Sequence, residues 1–532
     1  MNRTTLSLIA GTAALAAVTG FATLNQPDAS GADSGQAAAE LPVERTSLLC
    51  PSPSTSDLAE TSYTSFTPVT KGTGADGKAE LTPAVEESAD PASGAASGKT
   101  NGKADGKTTG KATGKTDGKT SGKTSGKTDG KKKAAAKPAL TPKAPGAPAV
   151  GATTGGAAPA LLGTAEGRFA PGWTVQETTE VPAGSGRGLQ GLACSAPDTE
   201  FWFPGVSTAA DRTDYVHLTN PDDSAAVVDI ALYGKDGALA TTVGEGLTVP
   251  AHSSEPILLS TLTGEKQEDL TVHVNVRSGR LGAAVQALDE KLGGDWLAPA
   301  TDPAPIQVVP GIPKDATAVR LVAYAPGDAD ADLKVQLASP SGLITPAGHE
   351  TLHVKAGRTI SVDLGDVTRG EAGSLILTPT DQSVPVVAAV RVLRGKGADQ
   401  ESAFIPATAP VGTRASAAGN SAKGATLSLT APKGTAQVKV TASAGSGGGT
   451  AVSKTYTVRA GTTQDVELPV PTGLKGSYAL TVETLTATPV YASRTLTSTQ
   501  EGVPGFTVQT LPDDRGTVSV PQADEDVAVL QK

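Results

Sequence analysis

The sequence predicts an all-β protein built from tandem immunoglobulin-like β-sandwiches, with an N-terminal signal or anchor helix and a long disordered insertion. Three observations support this fold class. Aromatic residues make up only 3% of the 532-residue chain, which argues against one large helical core. Short runs alternate apolar and polar residues between Gly, Pro, Asn and Asp, as strands with one buried face do. A segment of sandwich length also recurs along the chain.

The recurring segment is about 105 residues long. At this offset Val216 matches Leu321, and Val285 matches Val390. A weaker third copy places Tyr456 opposite Leu352. A β-propeller with two blades per repeat is the alternative fold. The matched turns recur once per repeat rather than every ~40–50 residues, so the sandwich is favoured.

Changes in composition and apolar patterning along the sequence predict six divisions. They are a signal peptide or membrane anchor (1–24), a tether (25–45), a first β domain (46–300) with a disordered insertion (71–163), a second sandwich (301–400), a third sandwich (401–500) and a C-terminal β segment (501–532). Residues 504–509 resemble residues 171–176. The C-terminal segment is therefore either a partial fourth unit or a closing piece.

The N-terminus is typical of an export signal. Arg3 precedes an uncharged stretch, residues 6–24, and acidic residues follow from Asp28. As a helix this stretch would span ~28 Å, which is barely a membrane crossing. Residues 20–22 offer a small-x-small cleavage site, so a cleaved signal and a retained membrane anchor both stay open. Either way we expect a protein outside the cytoplasm, in the cell envelope or secreted.

The chain has two cysteines, Cys50 and Cys194. Export to an oxidising compartment predicts that they form one disulfide, and two unrelated buried thiols are the alternative. Because one cysteine precedes the insertion and the other follows it, the bond would hold both ends of the insertion to one domain. The chain-entropy model gives ~4–5 kcal/mol for so long a loop.

Charge is unevenly distributed. Residues 97–133 hold eleven Lys and three Asp, and so carry +8 of a net charge of −10, which leaves −18 elsewhere. The repeated Gly-Lys pattern from Lys99 to Lys133 has no apolar residue for a core and is predicted to be disordered. It is either a soluble spacer or a ligand for an anionic wall polymer or membrane surface. Other envelope proteins are further candidate partners, and nothing indicates nucleic acid.

One motif resembles a zinc-peptidase signature. His349-Glu350-Thr351-Leu352-His353 fits H-E-x-x-H, which requires a helix to bring both imidazoles to one metal. Gly348 precedes the motif, and the internal repeat aligns Leu352 with strand positions. In a strand the two imidazoles would lie ~13 Å apart. The sequence therefore predicts no catalytic residue, no metal site and no cofactor, and disfavours a peptidase.

Two weaker motifs have plain structural interpretations. Gly186 to Gly191 fits G-x-G-x-x-G, but no helix follows, so we expect a turn rather than a nucleotide site. Asp328, Asp330 and Asp332 could hold calcium through their carboxylates, but their spacing fails the EF-hand pattern. A solvated turn is favoured over calcium binding.

At Leu48-Leu-Cys-Pro51, Phe201-Trp-Phe-Pro-Gly205 and the β repeats, the chain resembles an uncharacterised family of exported actinobacterial proteins, domain-of-unknown-function family 5719. The resemblance covers residues 45–530 apart from the insertion. The family has no assigned activity, so the resemblance implies no catalytic residues.

Together these features predict a non-enzymatic cell-envelope protein, a scaffold or binding module that uses loops at sandwich ends or exposed sheet edges. A carbohydrate- or wall-polymer-binding accessory protein is an alternative. It is weakened by the shortage of aromatic residues, because Trp173, Trp202 and Trp296 are the only tryptophans. A zinc metallopeptidase acting through His349, Glu350 and His353 is the disfavoured alternative.

Overall fold

The computed structural model describes residues 39–84, 137–500 and 502–520. The predicted signal or anchor (1–24) and the tract from Lys99 to Lys133 lie outside the described residues. No helix in the described ranges is long and apolar enough to cross a membrane. The chain divides into two compact units, one of them Val43–Gly516. In the other, the described part is a two-stranded antiparallel ribbon of β1 (Ala39–Pro42) and β37 (Thr517–Val520).

The first sandwich of the large unit has seven strands. One sheet has the order β2-β6-β4, with β2 (Arg45–Cys50), β6 (Leu161–Glu166) and β4 (Ala79–Pro83). The facing sheet has the order β5-β3-β7-β8, with β5 (Ala149–Thr154), β3 (Glu60–Phe66), β7 (Thr174–Val181) and β8 (Gly188–Ala193). A 3-10 turn at Gly167–Phe169 precedes β7. Leu81, Leu161 and Trp173 are buried between the sheets.

The second sandwich follows directly. One sheet has the order β14-β10-β16-β17, with β14 (Ser254–Leu258), β10 (Arg212–Thr219), β16 (Gly282–Asp289) and β17 (Gly293–Leu297). The other has the order β12-β11-β15-β9, with β12 (Gly237–Ala238), β11 (Ala226–Gly234), β15 (Leu270–Ser278) and β9 (Glu200–Val206); β13 (Leu247–Val249) also pairs with β11. A single helical turn, α1 (Leu259–Leu262), follows β14.

The third sandwich repeats this arrangement. One sheet has the order β18-β24-β20-β21, with β18 (Gln307–Ile312), β24 (Gly373–Pro379), β20 (Ala331–Ser339) and β21 (Gly342–Ile344); β22 (Thr351–Val354) also pairs with β20. The other has the order β23-β19-β25-β26, with β23 (Thr359–Asp363), β19 (Ala318–Tyr324), β25 (Val387–Arg394) and β26 (Glu401–Pro406). A 3-10 turn at Gly397–Asp399 precedes β26.

The fourth sandwich ends the large unit. One sheet has the order β27-β34-β29-β31, with β27 (Arg414–Asn420), β34 (Tyr478–Thr484), β29 (Ala436–Ala442) and β31 (Val452–Val458). The other has the order β32-β28-β35-β36, with β32 (Thr462–Val466), β28 (Ala425–Ala431), β35 (Tyr491–Gln500) and β36 (Val503–Thr510). A small ribbon of β30 (Gly448–Thr450) and β33 (Thr472–Lys475) lies beside them.

All four sandwiches share one topology. In each, the first strand pairs with an equivalent later strand of its own sheet; these pairs are β2–β6, β9–β15, β18–β24 and β27–β34. The last strand, which is β8, β17, β26 or β36, forms the edge of the facing sheet. Val216 in β10 and Leu321 in β19 occupy equivalent buried positions, as the internal repeat indicates. Each repeat contributes two facing sheets rather than one radial blade. The all-β, sandwich-type prediction is therefore confirmed, and the propeller alternative does not describe the chain.

The predicted divisions need four corrections. Residues 46–300 form two sandwiches rather than one domain, and β36 in the C-terminal segment completes the fourth. β4, β5 and the start of β6 lie within 71–163, which the sequence predicted to be disordered. Likewise β1 and the first residue of β2 lie in the predicted tether (25–45). Small residues such as Ala79 fill the core here, and they give a weak signal in an Ala- and Thr-rich chain.

The sandwiches of the large unit form a closed ring, because the fourth contacts the first. The four last strands, β8, β17, β26 and β36, contact one another in cyclic order at the centre. Each junction also has a polar contact: Gln286 Nε2 to Gln190 Oε1 at 2.9 Å, Thr359 Oγ1 to Tyr233 O at 2.8 Å, Ser374 Oγ to Thr430 Oγ1 at 2.7 Å, and Arg494 Nη2 to Gln176 Oε1 at 3.4 Å.

A buried carboxylate lies at the centre of the ring. Asp295 in β17 is fully buried and accepts hydrogen bonds from Gly191 N in β8 at 3.1 Å and Thr507 Oγ1 in β36 at 3.3 Å. Burial raises the pKa of Asp295 well above its usual value. Because these donors belong to the first and fourth sandwiches, Asp295 links three of the four sandwiches.

One junction requires a glycine. Gly311 in β18 has φ +76°, and a Cβ there would lie 1.8 Å from Ser493 Oγ of the fourth sandwich. The strand register shifts between Val309 and Ile312 at this point. A side chain at Gly311 would therefore separate the third and fourth sandwiches.

Cys50 and Cys194 form a disulfide, as the sequence predicts. The bond joins the end of β2 to the residue after β8, and both cysteines are buried in the core of the first sandwich. The chain between them includes the insertion. Strand pairing of β4 with β6 and of β3 with β5 also holds the two ends of the insertion in this sandwich.

We expect the double variant Cys50→Ser with Cys194→Ser to fold but to lose stability. Its two cysteines are 144 residues apart, so the chain-entropy model predicts a loss of about 3–5 kcal/mol in the free energy of unfolding. Urea denaturation followed by tryptophan emission measures this loss. An unfolding midpoint equal to that of the wild type would show that strand pairing alone fixes this region.

Candidate functional site

A cavity of about 370 Å³ lies at one end of the central strands. β8, β17, β26 and β36 all reach it with their carboxyl ends, and the segments that follow these strands complete its walls. The four sandwiches therefore build one shared site, because equivalent strands run in the same direction around the ring. We call this site the axial cavity.

The inner wall of the axial cavity is apolar. Trp173, Leu192, Trp296, Phe404 and Val508 line it, and each is buried. Two of the chain's three tryptophans therefore meet at one site. The shortage of aromatic residues in the sequence thus conceals a local concentration of them.

Two side chains in the lining of the axial cavity each hold a buried hydrogen-bond donor that has no partner among the described residues. They are Trp296 Nε1 and Gln509 Nε2, and the two side chains are only 3% and 4% exposed. A buried donor left unpaired costs about 1–3 kcal/mol. Both donor atoms are inaccessible to solvent, so neither faces the empty cavity.

Arg494 fixes the orientation of Gln509. Its guanidinium is fully buried and donates to Gln509 Oε1, to Gln176 Oε1 and to Asn420 Oδ1. Burial lowers the pKa of Arg494 to about 9. Since Arg494 binds the amide oxygen of Gln509, the amide nitrogen is the group left without a partner in the described structure.

The rim of the axial cavity is acidic. It contains five carboxylates and one guanidinium, those of Asp198, Glu200, Asp302, Asp513, Asp514 and Arg515. Arg414 holds Asp514 through a 2.5 Å contact between Nε and Oδ2. Burial raises the pKa of Asp513 and of Asp514. Asp198 and Asp302 have no ion-pair partner within the described ranges. The rim therefore favours neutral or cationic groups.

His217 lies behind the cavity wall. It is buried in β10, with its ring edge-on to Trp296 and the ring centroids 5.0 Å apart. Burial lowers the pKa of His217 from 6.5 to about 4. The imidazole is therefore neutral at pH 7 and serves as packing for Trp296.

We expect His217 to destabilise the protein in acid. Between pH 6.5 and pH 4 the unfolded chain binds a proton at His217 that the folded chain does not, so the free energy of unfolding falls as the pH falls. His217→Gln removes this term, which amounts to about 3 kcal/mol by pH 4. Urea denaturation at several pH values measures it, with exposed His353→Gln as the control. Identical pH slopes for wild type and His217→Gln would contradict it.

The peptidase-like motif lies in a turn and a strand. His353 is in β22, and His349 lies in the preceding turn, so the segment adopts the strand that the internal repeat predicts. His353 Nδ1 lies 2.8 Å from Asp332 Oδ1, and its Nε2 lies 3.4 Å from Asp330 Oδ2. In the part of the chain that the structure describes, no group of three or more His, Cys, Asp or Glu is placed to hold a metal ion.

The acidic turn is occupied by protein contacts. Besides contacting His353, Asp330 accepts a hydrogen bond from the backbone N–H of Ala356 at 2.8 Å. Asp332 pairs opposite His353 in the sheet. The carboxylates of Asp330 and Asp332 thus hold the β20–β22 edge together, and the solvated-turn interpretation of Asp328, Asp330 and Asp332 stays a prediction.

The G-x-G-x-x-G segment forms the β7–β8 hairpin and the start of β8. Arg187 donates to Lys291 O at 2.5 Å and to Gln400 O at 3.0 Å, in the second and third sandwiches. Gly191 donates to Asp295, as described above. The segment therefore joins sandwiches, and the expectation that it binds no nucleotide stays a prediction.

A second, more open cleft of about 1040 Å³ lies between the second and third sandwiches. Its charges are mixed, and Arg320 is paired with Glu268 and Asp269 at 3.1 and 3.2 Å. The buried donors that lack partners in the described structure do not line this cleft. The axial cavity is therefore the better candidate.

The fold and the cavity define a repeat protein of four β-sandwiches with a shared internal cavity. The model of the family of unknown function DUF5719 matches residues 149–469, more than half of the chain, and the chain belongs to this family. The matched region contains the second and third sandwiches in full and parts of the other two. No curated protein and no solved structure matches the chain.

Proposed function

We propose that this chain is an exported, non-enzymatic binding module of the cell envelope, and that the axial cavity is its ligand site. One observation carries the proposal. All four sandwiches line one cavity of about 370 Å³, which combines apolar side chains with the exposed carboxylates of Asp198 and Asp302. Pockets with mainly apolar walls and a few placed polar groups are typical of ligand sites.

The chemistry of the lining favours binding over catalysis. The described lining contains no histidine, and its one cysteine, Cys194, is in the disulfide. Ser416 Oγ donates to Asp514, whose carboxylate is already held by Arg414. These side chains are therefore engaged in structural contacts rather than arranged as a nucleophile with a base.

The ring also suits a binding role. Each wall of the axial cavity belongs to a different sandwich, and the sandwiches hold one another in place through buried contacts. A pre-formed site loses less conformational entropy when a ligand binds. Export follows from the N-terminal pattern, and the Cys50–Cys194 disulfide is consistent with an extracellular location.

We expect Ala409→Trp to block binding. Ala409 lines the cavity mouth and is exposed, so an indole there fills the mouth without disturbing the core. Ala398→Trp is the matched control, because Ala398 is also exposed but lies before β26, at the strand's other end. The measurement is co-sedimentation of the full exported chain with isolated cell wall of the source organism.

The assay contains 0.5 M salt, which screens exposed charges and so suppresses any attachment through the lysine tract. We expect the wild type and Ala398→Trp to co-sediment equally and Ala409→Trp to bind at least tenfold more weakly. Equal co-sedimentation of all three proteins, or of none, would refute the proposal that the axial cavity binds an envelope component.

A further inference from the structure

We propose that residues 512–516 form a strap that closes one side of the axial cavity, and that Arg414 holds this strap shut. The strap follows β36, and its residues Asp513, Asp514 and Arg515 line the mouth of the cavity. The role as a gate rests on the proposed function, because a strap that opens would control how a ligand enters and leaves. The opening itself requires no ligand.

The strap has few backbone attachments. Leu511, the residue before it, is buried in the core of the fourth sandwich and fixes one end. The backbone beyond Leu511 belongs to no strand until β37 begins. In the described structure, two backbone hydrogen bonds join the strap to other segments: Asp514 N donates to Arg414 O at 2.8 Å, and Val43 N donates to Gly516 O at 3.1 Å. The strap therefore depends on side-chain contacts to stay in place.

Arg414 in β27 makes the main side-chain contact. Its Nε and Nη2 donate to the two carboxylate oxygens of Asp514, at 2.5 and 3.4 Å, and Ser416 Oγ also donates to Asp514, at 3.3 Å. The same guanidinium donates to Thr70 Oγ1 at 3.1 Å and to Pro171 O at 3.4 Å, in segments of the first sandwich. Arg414 therefore joins the strap to both sandwiches at the closing junction of the ring.

The ion pair is enclosed by backbone. A Cβ at Gly172 or at Gly516 would clash with the guanidinium of Arg414 and the carboxylate of Asp514. The two side chains of the ion pair are 16% and 5% exposed. Solvent and salt therefore screen this contact less than they screen an ion pair on the surface, so the loss of Arg414 removes a substantial attraction.

Two features of the strap oppose its closure. Arg515 has φ +52°, a left-handed conformation that is unfavourable for residues other than glycine. Asp513 and Asp514 are neighbouring, half-buried carboxylates, and they lie in the same rim as the other acidic residues of the cavity mouth. Like charges repel one another while the strap is shut. The contact with Arg414 offsets both effects, so its removal favours the open strap.

The test is hydrogen–deuterium exchange of the full exported chain, measured by mass spectrometry on peptides that cover the strap and on peptides that cover β17. Arg414→Gln removes the ion pair, and Arg414→Lys keeps the charge but loses the paired contact with Asp514. Arg394→Gln is the matched control. Arg394 contacts Asp315 at 2.5 Å, its side chain is also 16% exposed, and it lies outside the cavity lining.

We expect the strap amides of the wild type to exchange faster than those of β17, because local opening costs less free energy than global unfolding. In Arg414→Gln we expect the strap amides to exchange about tenfold faster than in the wild type, and in Arg414→Lys by a smaller factor. Arg394→Gln leaves the exchange of the strap unchanged, and the exchange of β17 stays the same in all three variants.

Equal exchange of the strap in the wild type and Arg414→Gln would overturn the inference. Faster exchange of β17 together with the strap would also overturn it, because Arg414 would then hold the whole ring rather than the strap. The exchange experiment contains no ligand, so either result leaves the binding function standing. The co-sedimentation assay decides that function separately.

Discussion

The closure of the ring through buried polar contacts is the constraint on which the site depends. Each sandwich has an apolar core, and Phe404 and Phe506 also pack across junctions into the cores of the second and third sandwiches. Apolar contact is non-directional, however, and does not by itself fix how the four are oriented. Asp295 and Arg494 supply that information, since each loses hydrogen bonds if a neighbouring sandwich moves. A buried polar group that loses its hydrogen-bond partner costs about 1–3 kcal/mol, and a charged group such as the Arg494 guanidinium costs more. This free-energy cost destabilises any arrangement in which the fourth sandwich does not contact the first.

The axial cavity follows from this closure. The four sandwiches share one topology, so their last strands approach the centre as equivalents and end at the same side. The segments that lead to the next sandwich then surround the space beyond the strand ends. No single sandwich contains the site: Trp173, Trp296, Phe404 and Gln509 come from four different sandwiches. The repeated topology thus creates the cavity. Because the copies differ in sequence, each sandwich contributes different side chains to the cavity wall.

Much of the fold could be predicted from the sequence, but the site could not. Alternation at positions such as Val216 and Leu321 predicts strands, and the 105-residue offset predicts repeated sandwiches, because both are local or periodic signals. The first sandwich was not predicted as a separate unit because its insertion interrupts the 105-residue repeat and small residues such as Ala79 fill its core. Trp173 and Trp296 lie in the same cavity lining only because the sandwiches pack as a ring, and no local sequence pattern predicts that packing. The H-E-x-x-H motif misleads because its residue order matches a zinc site, whereas only a helix would bring its two imidazoles to one metal ion.

An engineered disulfide across the closing junction tests ring closure most directly. A Cβ at Gly419 in the fourth sandwich would lie 3.5 Å from the Cβ of Thr64 in the first, within the ~3.5–4.5 Å that disulfides span. In Thr64→Cys with Gly419→Cys, the ring predicts a 64–419 bond beside the native Cys50–Cys194 bond, seen by peptide mass spectrometry without reduction. Because Gly419 has φ +76°, a side chain there strains the backbone, so the fold of the variant is first checked by circular dichroism against Gly419→Ala. In a variant that folds like Gly419→Ala, two thiols at 64 and 419 that both alkylate would contradict the ring.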